Sequence, residues 1–513
     1  MNELQKQTEL ALAREPSRQA IEFEKRWITW GNLRQVADRL SALLDASGVE
    51  SHAPVAFVPR NRPSAIAALL GLIAKGRSIR MLYAFQSAAA LARDVERLKP
   101  AVVLAAAEDY SAELLSVLRA EGIAAIALTE MDAAAVPGFE RSQSAGGQIS
   151  YRSSSPDNES VPFFAPQIEI LTSGTTGPPK QFAISYDLIA RHMIGASVIS
   201  SGQNAGKGVD VSQLPPTLFL MPLGNISGIY STLPALLKGQ RAVLLEKFTV
   251  AGWHDHALRH RPQVSGMPPA GVQMILDADI APADLASIRV IGTGAAALDP
   301  TAHRAFEERY GIPILLSYGA TEFGGPVTAM TAELHTTWGK QKFGSVGRCL
   351  PGAQLRVIDP DTGAVLPPGK EGILEVISPR IGPDWIRTSD IAMIDADGFL
   401  FHRGRADGAI MRGGFKLLPE TIERALLLHP TISAAAVVGL ADKRLGQIPA
   451  AAMQLKPGVE QPASADLEAH LRSHILATHI PVVWRFVAAL PRTPSLKIDR
   501  PAVRRLFEED RAG

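Results

Sequence analysis

Between Asn32 and Leu44 apolar residues recur at Leu33, Val36, Leu40 and Leu43, the three- and four-residue spacing that gives a helix one apolar face. Val55 to Val58 then predicts a short strand, and the alternation continues: a helix over Ala65 to Ala74, an apolar run over Ala101 to Ala107, a helix over Ala112 to Ala120, an apolar run over Ile123 to Leu128. Strands alternating with helices predict a largely parallel sheet with helices on its faces. Ser142 to Pro166, rich in Ser, Pro, Gly and Asn, predicts a loop.

From Gly352 to Leu400 the pattern changes to short strand-like runs, Gln354 to Ile358, Gly372 to Ile377 and Phe399 to Phe401, separated by turn chemistry such as Asp361-Thr362-Gly363 and Asp397-Gly398. This predicts a smaller β-rich subdomain. A compact α/β segment follows, with helices expected over Glu420 to Leu428 and Asp466 to Leu476 and apolar runs over Ala434 to Leu440 and Trp484 to Leu490. The fold class is therefore α/β: a large N-terminal domain of stacked α/β subdomains plus a β-rich subdomain over 1–405, and a small α/β C-terminal domain over 409–513, with the boundary near Arg405 to Gly408. Length agrees, since 513 residues exceed what one compact core holds.

Charge narrows the function classes. Lys and Arg together number 52 against 51 for Asp and Glu, so the overall balance points to no nucleic-acid partner. Cys349 is the only cysteine, which excludes an internal disulfide and the usual zinc spacings. The N-terminus lacks the continuous apolar core of a secretory signal, and no apolar run approaches the roughly 20 residues needed to cross a bilayer. The expectation is a cytoplasmic enzyme without integral membrane association.

The strongest local signal is Ile168-Glu-Ile-Leu171 running into Thr172-Ser-Gly-Thr-Thr-Gly-Pro-Pro-Lys180. Glycines let backbone N–H groups converge on phosphate oxygens, hydroxyls add donors, and a lysine adds charge. It is not a Walker loop, because Pro179 and Gln181 flank Lys180 where that loop needs Gly and Ser or Thr. On composition alone a surface turn with a solvated lysine fits as well.

The loop resembles the signature of the adenylate-forming superfamily, which includes acyl-CoA synthetases, firefly luciferase and peptide-synthetase adenylation domains. Further segments resemble that family in order: Leu316-Leu-Ser-Tyr-Gly-Ala-Thr-Glu322, Gly344-Ser-Val-Gly347 with Pro351-Gly352, Thr388-Ser-Asp390, Gly404-Arg-Ala-Asp407, Gly413-Gly-Phe-Lys-Leu-Leu-Pro-Glu420 and Pro491-Arg-Thr-Pro-Ser-Leu-Lys497. The resemblance implies an enzyme that joins a small carboxylic acid to the α-phosphate of ATP, releases pyrophosphate, and passes the acyl group to coenzyme A.

It also implies roles. Thr172, Ser173, Gly174, Thr175, Thr176, Gly177 and Lys180 would hold phosphates. Gly294, Ala295 and Ala296 would flank the nucleotide, with Tyr318, Gly319 and Ala320 at adenine and Thr321 at the α-phosphate. Glu322 and Thr175 would hold magnesium, Asp390 the ribose hydroxyls, and Arg405 ribose and phosphate. Asp407 would lie at a hinge, 406–408, on which a mobile C-terminal domain over 409–513 turns. Lys497 would bridge the acid and the α-phosphate, and with Thr321 and Glu322 it completes the catalytic set. Asn225, Ser227, Gly228, Gly292, Thr293, Gly319 and Gly324 would line the acyl pocket.

The chain departs from the family in two places. Gly224 and Asn225 stand where many acyl-CoA synthetases carry an aromatic residue and His, and Ser495-Leu496 precedes the lysine where the family usually has Thr-Gly. Val211 to Leu245 contains no acidic residue, which disfavours an α-amino acid, whose ammonium needs a partner. Leu218, Phe219, Leu220, Met221, Leu223, Ile226 and Ile229 beside glycines suggest an apolar pocket for a fatty, aromatic or polycyclic acid. That reading points to fatty acid metabolism or aromatic acid degradation. With only a short tail after Lys497, the acceptor is expected to diffuse in, and Arg412, Lys416, Lys443 and Arg444 suit coenzyme A phosphates or simply a solvated face. Transfer to an amine or a separate carrier protein, and a non-catalytic nucleotide-binding homologue, remain as alternatives; the resemblance leaves a homodimer open.

Overall fold

A computed structural model describes residues 1–139, 165–172, 180–194, 211–412, 415–442, 444–493 and 496–508. The expected loop over Ser142 to Pro166 lies almost wholly outside them. Among the described residues the first layer is a seven-stranded sheet in the order Ala133–Ala135, Ala124–Leu128, Val102–Ala106, Val55–Val58, Ile79–Met81, Gln167–Thr172, Lys180–Ser185. Its five central strands are parallel and only the two edge pairs are antiparallel.

Both faces of that sheet are covered. Val55 and Phe57 belong to one buried cluster, Ala56 and Val58 to another, and Val102 and Leu104 alternate with Val103 and Ala105 in the same way. Successive side chains of a strand point to opposite faces, which explains why these runs are continuously apolar. Every residue of the helix Pro63–Ala74 is buried, as expected of a helix that is apolar on all sides. Its Gly71 admits close packing, since a Cβ there would stand 2.9 Å from that of Ala37.

The second layer is a five-stranded sheet in the order Val264–Gly266, Val290–Gly294, Ile314–Ala320, Gly325–Ala329, Arg348–Cys349. Its first three strands are parallel, so their C-terminal ends share one edge. Ile314–Ala320 then turns back antiparallel into Gly325–Ala329. Next comes the expected β-rich unit, a meander of Gln354–Ile358, Glu371–Ile377, Ile386–Ile394 and Leu400–Arg405. Phe323 is inserted into its core beside Val357, Leu374, Val376, Ala392 and Leu400, which fixes the short turn Thr321–Phe323 between the two sheets.

From Ile410 onward a separate sheet forms, with Ile432–Asp442 paired to Gly446–Leu455 over ten register positions and buried clusters on both faces. The helix expected over Asp466 to Leu476 is shorter, Ser464–Arg472. The chain turns at Ser473, and Leu476, which would have continued the apolar face, is 70% exposed. The run expected over Trp484 to Leu490 is a strand only at Val483–Phe486.

Glu307, on the helix Pro300–Tyr310, anchors the start of the strand Ile314–Ala320. Its Oε1 accepts from the Ile314 N–H at 2.8 Å and faces His303 Nε2 at 3.2 Å and His335 Nε2 at 3.3 Å. Burial alone would raise the carboxyl; the histidines and the backbone donor outweigh it and pull it down from 4.5 to about 2. A carboxyl lowered on folding contributes stability above its unfolded value and loses it as pH falls toward the folded one. Glu307→Gln is expected to flatten the pH dependence of stability between about pH 4.5 and about pH 2, read by denaturant melts. Glu307→Ala is expected to cost roughly 1–3 kcal/mol at neutral pH, by leaving a buried donor unpaired.

Candidate active site

Three backbone segments meet at the shared edge of the second sheet. The strand Val290–Gly294 ends at Gly294, opposite Ser317 on Ile314–Ala320, and a Cβ on Gly294 would lie 2.5 Å from Ser317 Oγ. Beyond it Ala295 adopts a left-handed φ of 67°, and Ala295 and Ala296 are exposed small residues at the rim. Gly319 is required by the hairpin itself, since a Cβ there would stand 2.4 Å from both Gly325 O and Pro326 Cα. Open α/β sheets bind ligands outside the carboxyl ends of their parallel strands, and these glycines leave backbone accessible there.

Tyr318, Asp390 and His402 form one bonded group. The Tyr318 hydroxyl donates to Asp390 Oδ2, His402 Nε2 lies 3.3 Å from Asp390 Oδ1, and the His402 and Tyr318 rings lie 5.7 Å apart at 30°. Burial would raise Asp390; the contacts to His402 and Tyr318 and the charge of Arg405 overcome it and hold the carboxyl below its usual range. The Tyr318 hydroxyl is driven well above its usual range by burial, and further by the neighbouring Asp390 charge.

Asp390 pairs across the meander with Arg405. Arg405 grips Asp407 with Nε at 2.9 Å and Nη2 at 2.6 Å, and Nη2 also reaches Ser389 Oγ at 2.6 Å. The hydrogen bond to Asp407 raises Arg405, and the same contact lowers Asp407. The residue expected at the hinge is thus tied to the cation expected at the ribose.

Lys497 arrives from the far end of the chain. Arg492 bridges Ile498 antiparallel, Thr493 N donates to Lys497 O at 2.8 Å, and Lys497 N returns a bond to Thr493 Oγ1 at 3.2 Å. Leu496 adopts a left-handed φ of 60°, a conformation natural to the glycine the family uses there and costing roughly 1–2 kcal/mol for other residues. Its side chain packs against the apolar cluster of the second sheet, which offsets that cost and docks the lysine turn on the larger unit. Lys497 keeps accessible surface, yet crowding in the cleft desolvates its ammonium and lowers it; Arg405 lowers it further and Glu322 opposes both. Glu322, Asp390, Arg405 and Lys497 therefore share one electrostatic environment around Tyr318.

Thr321 and Glu322 sit on the short turn held by Phe323. Glu322 is exposed and makes no ion pair with the described residues, and its hard carboxylate oxygens fit a magnesium ion. Thr175, the second residue expected at the metal, lies outside the described residues, as do Ser173, Gly174, Thr176 and Gly177. The strands on either side pair as far as Thr172 opposite Lys180.

The expected acyl-pocket residues fare differently. Asn225 stands at the N-cap of the helix Ile226–Leu237 but makes no capping bond, and Ser227 is partly exposed one turn in. Gly228 is small because a Cβ would lie 2.0 Å from Pro222 O, so it serves the turn. Thr293 is buried with its hydroxyl spent on Met267 O at 2.8 Å. Gly292 meets only Ser265 O, at 3.9 Å, whereas a Cβ on Gly324 would stand 3.0 Å from that of Arg380. Phe219, Leu220, Leu223, Ile226 and Ile229, expected as apolar walls, are core residues. Their hydrophobicity holds the fold together and says little about the ligand. His402 and Arg380 were not singled out in the sequence, and no spacing marks them; Ser389 stood inside the segment Thr388-Ser-Asp390 without a role of its own.

The sequence signature of the AMP-binding enzyme family matches residues 8–383, and that of the AMP-binding enzyme C-terminal domain matches 421–497. Sulfoacetate–CoA ligase of Cupriavidus necator is 31% identical over 66% of each chain, and indoleacetate–CoA ligase of Aromatoleum aromaticum is 28% identical over 96% of each. The structure of the amide bond synthetase McbA from Marinactinospora thermotolerans superposes with a TM-score of 0.77 at 24% identity, covering 98% of this chain and 99% of that one.

Asp390→Asn keeps the shape of the Tyr318–Asp390–His402 group and removes its charge. It is expected to raise the KM for ATP roughly ten- to hundred-fold, the worth of hydrogen bonds to a charged acceptor, with little change in melting temperature; steady-state kinetics and a thermal melt check both.

Proposed function

The chain belongs to the AMP-binding enzyme family of the adenylate-forming superfamily, and from that premise we propose that it is an ATP-dependent carboxylic acid–CoA ligase. The observation that carries the reading is the docking of Lys497 within the charge field of Glu322 and Arg405. A carboxylate attacking the α-phosphate of ATP brings two anions together, and the barrier falls when cations preorganised at that point absorb the charge. Arg405, at the end of the meander, and Lys497, from the C-terminal segment, supply them, and Asp390 would hold the ribose with the phosphate chain toward Lys497. Magnesium on Glu322 and Thr175 would neutralise the polyphosphate further.

In this scheme residues 1–405 hold ATP and the acid, 406–408 form the hinge, and 409–513 deliver the lysine. The phosphate-loop residues Thr172 to Lys180 keep the roles the family gives them. The acid we propose is fatty, aromatic or polycyclic, a class that the relative indoleacetate–CoA ligase supports and the core residues do not, its body lying along Asn225, Ser227, Gly292 and the glycines at 324 and 325, beneath Tyr230. For thioester formation the small domain must swing away, releasing Leu496 from its apolar seat and Asp407 from Arg405. The named relatives sulfoacetate–CoA ligase and indoleacetate–CoA ligase support coenzyme A as the acceptor. The amide bond synthetase among the structural neighbours keeps an amine acceptor as the second reading.

The test is a pyrophosphate-release screen over carboxylic acids, with and without coenzyme A. Acid-dependent release with thiol consumption is expected; release without thiol consumption favours the amine. Lys497→Ala is expected to bind ATP normally and to lose ~100-fold or more in acid-dependent pyrophosphate exchange, since the lysine acts on the transition state; unchanged exchange contradicts the assignment. Because Lys497 is lowered from 10.5, its charge is lost earlier than an ordinary lysine's as pH rises. Adenylation is expected to decline on the alkaline side below pH 10.5, and Lys497→Arg to move that limb upward wherever activity survives.

A further inference from the structure

Behind the glycine pair that follows Glu322 lies a charge the adenylation chemistry does not use. Arg380 sits between the strands Glu371–Ile377 and Ile386–Ile394 and is 4% exposed. Its Nε donates to Phe323 O at 3.3 Å and its Nη2 to Pro326 O, while Ser378 Oγ donates to the same Phe323 O at 2.6 Å. Nη1 donates to none of the described residues, and no carboxylate among them lies within ion-pairing distance of the guanidinium. A guanidinium offers five donor hydrogens, so three are left without an acceptor among the described residues.

That arrangement needs an explanation, because buried polar groups are almost always paired and an uncompensated buried charge is costly. Tying down the Phe323 and Pro326 carbonyls accounts for two donors. It does not account for a full positive charge, since a neutral amide would serve. The ionisable groups that sense Arg380 are Tyr230, from the helix Ile226–Leu237, and His192, at the end of the helix Tyr186–His192. Neither is a carboxylate. The Tyr230 ring lies over Gly325, 3.3 Å from where a Cβ would stand, and Gly324 abuts Arg380 itself. Arg380 and Tyr230 thus converge from two elements on the glycine pair assigned above to the acid's body.

We propose that Arg380 is a specificity-determining residue that pairs with a second anionic group, a carboxylate or sulfonate, at the far end of the acid substrate. The inference rests on the acid-activation reading and narrows its substrate class: an apolar body carrying a carboxylate at the reacting end and an anion at the other. The planar fork of Nη1 and Nη2 suits two parallel bonds to such a group. A side chain at 324 or 325 would press on Arg380 or on the Tyr230 ring, so glycine at both positions keeps the approach to the guanidinium free of a Cβ.

Matched substrates test this with the full chain and MgATP. Aliphatic and aromatic dicarboxylic acids are compared with their monomethyl esters, and a sulfobenzoate with the corresponding methylsulfonyl benzoate, by pyrophosphate release. The anionic member of each best pair is expected to have the higher kcat/KM by roughly 30-fold or more, the scale of losing one partner of a buried charge pair. Arg380→Met is expected to remove that advantage mainly through KM while leaving the neutral member within roughly 3-fold; Arg380→Lys is expected to restore part of it. The neutral member reports whether the variant is folded. Equal use of both members by the unaltered protein, or an equal loss for both in Arg380→Met, overturns the proposal and leaves Arg380 as a backbone clamp. Silence from every acid, neutral or anionic, would instead remove the acid-activation reading on which this one stands.

Discussion

Joining a carboxylate to a polyphosphate forces two anions together, and the cleft's design follows from that repulsion. Arg405 and Lys497 bring positive charge into one cleft, where Glu322 and Asp390 set negative charge beside them. None of these groups is held by its own local chain alone. Asp390 is fixed by Tyr318 and His402, Arg405 by Asp407 and Ser389, Glu322 by the insertion of Phe323 into the neighbouring meander, and Lys497 by a two-bond turn on Thr493 that Leu496 seats on the apolar cluster of the second sheet. Preorganisation of this kind costs stability elsewhere, and the left-handed Ala295 and Leu496 beside the cleft are where strain is visible.

The same contacts that assemble the cleft also restrain its opening. Leu496 in its apolar seat and Asp407 under Arg405 both favour the docked lysine. A Cβ on Gly404 would lie 2.8 Å from Glu420 Oε2, so the last strand of the meander and the first helix of the small domain approach closely at a residue without a side chain. In a two-step enzyme these contacts must be weak enough to break after the adenylate forms. An apolar contact made by one partly buried leucine and an ion pair open to solvent are each worth about a kilocalorie per mole, a scale compatible with rapid exchange between two domain positions.

Much of this was legible in the sequence where a residue's identity is dictated by local chemistry. The alternation of strands and helices from Val55 to Leu128 gave a sheet with a parallel centre, because strands covered on both faces must be continuously apolar. Tyr318, Glu322, Asp390, Arg405 and Lys497 were grouped by family resemblance rather than by spacing, and in the structure they share one charge field. What the sequence hid is side-chain orientation. Phe219, Leu223, Ile226 and Ile229 look like pocket walls in one dimension and are core in three, and Thr293 spends its hydroxyl on backbone. His402 and Arg380 carried no signal because their partners, Asp390 and the Phe323 and Pro326 carbonyls, come from other strands. Leu496 was visible as a departure, but only its backbone angle and its packing explain how a leucine is tolerated in a glycine position.

The account stands on Lys497 reaching a nucleotide held by the larger domain, and lysine footprinting in solution measures that directly. The rate of Lys497 acylation by a small amine-reactive ester would be followed by mass spectrometry in the free protein, with MgATP, and with MgATP plus a non-reactive analogue of the acid. Its lowered ammonium should make Lys497 more reactive than surface lysines in the free protein, and the nucleotide with the acid analogue should protect it strongly. Labelling at the rate of an ordinary exposed lysine, unchanged by either ligand, would contradict the account.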